Sequence, residues 1–327
     1  MRLDSKLVLG AALALVQVQA SPDQVTAKSQ QQLLNDFNVG SRTTFRVWPA
    51  HGELAPSLDG RFVYFGENGP EGLVLKRASL SNGAVASLAK TPHEIDRVAP
   101  IPGDPRHIVA SWPAGLGGAP PHGVSLVSLD GGEELEFDTG ETGGDGSLQV
   151  SPSGRFLATG RAVVQPVPGS WYPSEIAIYA LPAGRREFTF KIPPRKDQVA
   201  NPHSVRAQTP ANVSVAWTGE DILVIRNGVQ SAFRRGPEGT WLSSKVGGRL
   251  ATHPIAVQRI LYPGERFRFR RSRDERDLEV EPEALFARGG ALIGYDLPEG
   301  AIVLREAKGS DGWNEVEAVV LKWKEGR

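Results

Sequence analysis

Cysteine is entirely missing from this 327-residue chain. Its absence excludes a disulfide scaffold, a c-type haem attachment and a lipidated cysteine at a processing site. Stability has to come from packing alone. An excess of charge is missing as well: 37 basic residues face 37 acidic ones, for a formal net charge of zero. A main partner made of nucleic acid usually requires net basic surface, so none is expected. Long apolar runs are scarce. The clearest, residues 7–16, falls short of the roughly 18–20 residues that cross a bilayer, and no membrane span is expected. Familiar catalytic patterns are missing in their turn. There is no Gly-x-Ser-x-Gly elbow, no His-Glu-x-x-His, no Walker loop and no dinucleotide fingerprint.

What is present begins with a start typical of exported proteins. Arg2 and Lys6 precede the apolar run, and Val18-Gln19-Ala20 places small residues before Ser21. Residues 1–20 therefore read as a signal peptide, and the mature protein is expected to be periplasmic or secreted. Residues 21–42 are polar and Gln-rich and read as a flexible leader, with one short helix around 31–37. Residues 43–327 are expected to form a single domain. With 37 glycines and 25 prolines, the chain has no stretch after Phe45 that reads as a long amphipathic helix, which points to short strands and turns.

The strands recur in units. A Leu-x-x-Gly signature follows an alternating apolar run at 80–83, 129–132, 181–184 and 297–300, with a degraded copy at 236–239. Its glycines are spaced by 49, 52, 55 and 61 residues. A second signature is a tight turn leading into an apolar strand. It is clearest in Ser57-Leu58-Asp59-Gly60-Arg61-Phe62 and Ser151-Pro152-Ser153-Gly154-Arg155-Phe156, and weaker at 102–109 and 217–225. Turn, strand, hairpin and outer strand make one four-stranded blade. An all-β propeller of about six blades is expected, with five to seven compatible with the span. Residues 43–48 and 316–323 are both strand-like, so the two ends are expected to pair in one blade and remove an exposed edge.

These two signatures together resemble the TolB-type propeller repeat, related to the propellers of prolyl oligopeptidases, over roughly residues 45–305. Only residues 151–154 come close to that family's Ser-Pro-Asp-Gly core, and Ser153 stands in place of the aspartate. The resemblance implies a stand-alone exported propeller without a peptidase domain.

Chemistry is sparser than architecture. His51, His93, His203 and His253 lie upstream of, or near the start of, expected innermost strands, where equivalent positions in different blades converge on the axis. Imidazoles gathered there, with acids such as Glu53 or Asp96, could hold a divalent metal or move protons. Three of the four adjoin proline, which suits turns instead. Arg266, Arg268 and Arg270 alternate with Phe267 and Phe269, so a strand there presents three guanidinium groups on one face. That face reads either as solvated surface or as a partner-binding patch. Trp171 and Tyr172, in a proline-rich loop at 166–173, are a second candidate contact. The acidic residues 133–145 lack calcium-loop spacing and read as a solvated outer strand.

Two readings remain open. One is a non-enzymatic scaffold binding a protein or glycan of the cell envelope through loops at one rim, with no cofactor. The other is a hydrolase or lyase with an axial His/acid site that a divalent metal could serve as cofactor.

Overall fold

The computed structural model describes residues 37–112, 123–131, 135–137, 148–164, 171–191, 214–218, 222–227, 229–244, 267–271, 276–280, 285–286, 291–297 and 299–324. Among them are twenty-two strands and no helix, and no helix is long and apolar enough to cross a membrane. The first sheet contains β2 (Ala55–Pro56), β3 (Phe62–Gly69), β4 (Gly72–Ser79) and β5 (Val85–Lys90). The second contains β6 (Arg97–Pro100), β7 (His107–Trp112), β8 (Gly123–Ser128) and β9 (Leu135–Glu136). The third contains β10 (Leu148–Val150), β11 (Phe156–Val164), β12 (Trp171–Ala180) and β13 (Arg185–Lys191). The fourth contains β14 (Ser214–Thr218), β15 (Ile222–Asn227), β16 (Val229–Arg235) and β17 (Trp241–Ser243). A two-stranded pair, β18 (Phe267–Arg271) and β19 (Arg276–Val280), follows.

The terminal sheet joins the two ends of the described chain. Its order is β1 (Phe37–Val47), β22 (Asn314–Trp323), β21 (Gly300–Lys308) and β20 (Ala291–Leu297), all antiparallel. The expected pairing of 43–48 with 316–323 is therefore present, as Thr43 opposite Ala318 and Phe45 opposite Val316. The strand starts earlier than the boundary at residue 43. Phe37 already pairs with Trp323, and their rings stack 4.3 Å apart. A buried aromatic at the strand's first position outweighs the polar composition around it, so residues 37–42 belong to the sheet.

The first, second, third and terminal sheets bury both faces, which explains apolar runs without polar alternation. Adjacent strand residues point to opposite faces. In β21, Ile302 and Leu304 enter the core shared with the first sheet, while Ala301 and Val303 face Leu285 and Phe286. In β3, Val63 and Phe65 meet the terminal sheet, and Tyr64 meets the second. The second sheet packs on the third through Val109, Leu126, Leu157 and Tyr179, and the third on the fourth through Phe156, Ile178, Trp217 and Trp241. Each fully buried Leu, Ile or Phe contributes about 1.5–3 kcal/mol. The first strands lie side by side, β2 against β6, β6 against β10 and β10 against β14. Sequential meanders packed face to face about their first strands are the build of a β-propeller.

The two signatures meet in space. Ser57 Oγ accepts the amide hydrogen of Phe62 at 2.9 Å, and Ser151 Oγ accepts that of Phe156 at 3.1 Å. In the second sheet Asp104 takes over, accepting from the amides of Arg106 and His107. The signature leucines then donate to the turn arginines. Leu80 N–H reaches Arg61 O, Leu129 reaches Arg106 and Leu181 reaches Arg155, each at 2.8 Å.

The copy at 297–300 is a different turn. It joins the first and second strands of its sheet, not the third and outer ones. The place of Leu80 is taken by Trp323, whose amide donates to Glu299 O. Its glycine also serves another purpose. Gly83 and Gly184 adopt positive φ in their turns, whereas a Cβ on Gly300 would lie 1.8 Å from Leu321 O, on the neighbouring strand. The 61-residue gap before it takes in the β18–β19 pair.

Candidate functional site

The connector from β1 to β2, residues 48–54, runs between the terminal and first sheets and builds one wall of a cleft. Its backbone is pinned on both sides. Ala50 O accepts from Asn68 N–H, Gly52 N–H donates to Gly66 O, and Glu53 N–H donates to Asp96 O at 2.6 Å. Gly52 is glycine because the chains touch there: a Cβ would lie 2.3 Å from Ile95 O and 2.5 Å from Asp96 O. This approach sets Glu53 beside Asp96 and Arg97, at the entry to β6.

The cleft measures about 280 Å³. His51, Glu53 and Leu54 come from the connector, Asp96 and Arg97 from the second sheet, and Ala291, Ile293 and Glu306 from the terminal sheet. Beneath it the buried Tyr295 donates its hydroxyl to Leu54 O. Its phenol is held well above its ordinary value by burial, and Glu53 adds to this.

His51 is almost enclosed, and both ring nitrogens face acceptors. Nδ1 lies 2.6 Å from Gly52 O, and Nε2 lies 3.0 Å from Glu306 Oε1. Two acceptors require two N–H donors, so the geometry specifies an imidazolium. Burial works against the charge, yet the bond to Glu306 and its negative charge outweigh it and raise the pKa. Glu306 is lowered, first by the His51 bond, against burial and with further help from Asn314, whose Nδ2 donates to it at 2.6 Å.

A pH dependence follows. His51 is raised in the folded state, so its contribution is complete below its ordinary value of 6.5 and is lost as pH rises through the folded value. Glu306 is lowered, so its contribution is complete above 4.5 and is lost as pH falls through its folded value. The pair is expected to stabilise most between those ordinary values. His51→Gln is expected to cost about 1.5–3 kcal/mol near pH 6 and to flatten the loss of stability between pH 6 and pH 9, measured by urea denaturation.

Glu53 behaves differently. Its carboxyl is pushed up by burial, drawn back by Arg97, whose Nε lies 3.3 Å from Oε2, and raised again by Asp96. Arg97 also reaches Asp96 at 3.8 Å. Among the described residues, no three His, Asp or Glu side chains converge as a metal-holding set.

Three of the sequence candidates, His51, Glu53 and Asp96, meet in this cleft. His93 does not line it. Its ring stacks on Trp112 at 4.4 Å, and Nε2 lies 3.2 Å from Glu136 of the outer strand β9. His203, His253 and Arg266 lie outside the described residues. Arg268 and Arg270 occupy β18 opposite Glu279 and Asp277, so the strand is present and acids sit at the paired positions. Trp171 and Tyr172 are not in a loop. They open β12 opposite Val164 and Val163, and Pro173 falls beside a register irregularity, where a missing amide hydrogen is tolerated.

The sequence reading missed Arg97 and Glu306. Arg97 adjoins Asp96 and had a local signal, whereas Glu306 reaches His51 only through the sheet that joins the two ends of the fold. It also missed the aromatic pair Trp48 and Trp313, which meet edge-on at 4.9 Å beside this wall, with the Arg46 guanidinium over Trp313.

No protein-family model matches the chain, and no curated protein matches it. Among solved structures it is similar to the PQQ-bound aldose sugar dehydrogenase from Streptomyces coelicolor, at 12% identity and TM-score 0.44, covering 88% of this chain and 98% of that one. It is similar to TolB from Acinetobacter baumannii at 12% identity and TM-score 0.41, covering 86% of this chain. A third is Kuenenia stuttgartiensis hydrazine synthase, at 10% identity and TM-score 0.38, covering 80% of this chain. The chain spans 64% of the length of each of the last two.

Proposed function

We propose that the chain is an exported, non-enzymatic six-bladed propeller that binds a protein or glycan of the cell envelope on the face bearing the cleft. Five four-stranded sheets, together with the β18–β19 pair that follows the fourth sheet in sequence and touches β20, support that count. Export rests on the signal-like residues 1–20. One observation carries the choice of binding over catalysis: His51, the imidazole of the cleft, is spent on its neighbours. His51 has both nitrogens engaged, Glu306 is held by His51 and Asn314, and Glu53 is paired with Arg97. A base without a free lone pair cannot take a proton from a substrate.

The raised Glu53 carboxyl favours a second reading, a general acid in a hydrolase or lyase. Turnover assays on the purified chain across glycoside, polyuronate and ester substrates separate the two. Under the binding reading no rate exceeds that of Glu53→Gln, and an envelope component retained by the wild-type chain is lost with Asp96→Arg. Turnover that disappears with Glu53→Gln would establish the enzymatic reading instead.

A further inference from the structure

We infer that the cleft between the connector 48–54, the entry to β6 and the strand β20 receives an alkylammonium group, with two carboxylates at its head and an apolar wall along its stem. The inference rests on the partner-binding reading and supplies the chemistry of what enters.

Size comes first. Clefts for drug-sized ligands run to roughly 300–1,000 Å³, and this one holds about 280 Å³. It suits one extended side chain or a small amine better than a folded oligosaccharide. The lining is divided. Leu54, Ala291 and Ile293 are its apolar residues, while Glu53 and Asp96 are neighbouring carboxylates. An alkyl stem on the first and a compact cation at the second match that division.

Charge decides the sign. Glu53, Asp96 and Glu306 are three carboxylates, and His51 and Arg97 are the two cations that line the cleft with them. His51 and Glu306 satisfy each other. Arg97 is left between two acids, 3.3 Å from Glu53 and 3.8 Å from Asp96, both measured from the same Nε. One guanidinium thus serves two carboxylates. Glu53 is mostly enclosed, with its side chain 16% exposed, whereas Asp96 is half-exposed at 49%. A second cation entering past Asp96 would complete Glu53 without displacing any pair. An anion would meet Glu53 and Asp96 directly. Burial raises the Glu53 carboxyl, Arg97 draws it back and Asp96 raises it again, and an incoming ammonium would add a second positive charge beside it.

The groups facing Glu53 are Arg97, Asp96 and the phenol of Tyr295, with His51 and Glu306 across the cleft. Lowering the pH protonates Glu53 and leaves the imidazolium of His51 in place, so ammonium binding is expected to weaken on the acid side.

The test titrates the purified chain with n-butylammonium, with a short peptide carrying one lysine, with the same peptide acetylated on that lysine, and with butyrate. Binding is followed by calorimetry and by amide shifts of Gly52, Glu53 and Asp96. Both cationic probes are expected to saturate, at least tenfold more tightly than butyrate or the acetylated peptide. Glu53→Gln and Asp96→Asn are each expected to lose at least tenfold. Asp96 is exposed enough that its variant will fold.

A lysine peptide tighter than butylammonium identifies a partner polypeptide as the source, and equal affinities identify a free amine. Equal binding of the acetylated peptide, preference for butyrate, no binding at all, or affinity unchanged in both variants would overturn the inference. If Asp96→Arg still abolishes envelope capture while no ammonium probe binds, the partner-binding reading survives and the ammonium falls. Turnover dependent on Glu53 would remove that reading whatever the probes do.

Discussion

Lys76→Met is expected to destabilise the fold by about 3–5 kcal/mol, the cost of leaving one member of a buried ion pair without its partner. Glu67, on β3, has a side chain only 2% exposed. Its Oε1 accepts from Lys76 Nζ at 2.6 Å, and its Oε2 accepts from the amide of Trp48 at 2.9 Å. Burial opposes the Lys76 charge, but the bond and charge of Glu67 exceed that opposition and raise its pKa. Methionine keeps the stem and removes the charge, so Glu67 retains one amide donor and no cation. The exposed Glu71, 3.4 Å from Lys76, would offer nothing in its place. The double variant Glu67→Gln/Lys76→Met is expected to recover most of the loss, because a glutamine oxygen still accepts from Trp48 and no charge remains buried. Urea denaturation of the single and double variants decides the matter. A loss below about 1 kcal/mol for Lys76→Met would show that Glu67 is solvated in the native state.

That pair was not visible in the sequence, for a physical reason. Glu67 follows Phe65-Gly66 in an apolar strand, where an acid reads as the strand's exposed end. The connector from β1 folds over that end, and His51 forms a bridge with Glu67 that covers it. Local pattern was informative wherever the local backbone sets the structure. The Ser57 and Ser151 turns close through their own side chains, and the two terminal segments are each strand-like enough for their pairing to be expected. It misled where distant chain decides. The glycine of 297–300 looks like the other signature glycines, but a neighbouring strand requires it, not its own turn. His51 and His93 hold similar positions before β2 and β6. His51 meets Glu306 across a sheet boundary, whereas His93 finds the face of Trp112. Position along a repeat places a backbone, and the partner available there determines where the side chain goes.

Gly52→Ala is expected to remove the cleft and about 2–3 kcal/mol of stability with it, in the range of overpacking a tight contact. The added methyl would lie 2.3 Å from Ile95 O, 2.5 Å from Asp96 O and 2.9 Å from Asp96 C. All three are backbone atoms, so no side-chain rotation makes room. Relief requires the connector to lift from the entry to β6, which breaks the 2.6 Å bond from Glu53 to Asp96 O, or to slide along β3, which breaks the bond from Gly52 to Gly66 O. Either movement carries Glu53 away from Arg97 and draws His51 Nε2 off Glu306. The variant should therefore lose the stability difference between pH 6 and pH 9 along with its cleft, a coupling that a simple loss of packing would not produce. Gly40→Ala is the matched control. Its Cβ would sit 3.4 Å from Lys322 Cε and Val320 O, an ordinary contact, and the change should stay within about 1 kcal/mol of the wild type. Thermal and urea denaturation at both pH values test the pair. A Gly52→Ala protein as stable as Gly40→Ala, with its pH dependence intact, would mean that the connector does not rest on the β6 entry and that the cleft is not built as described.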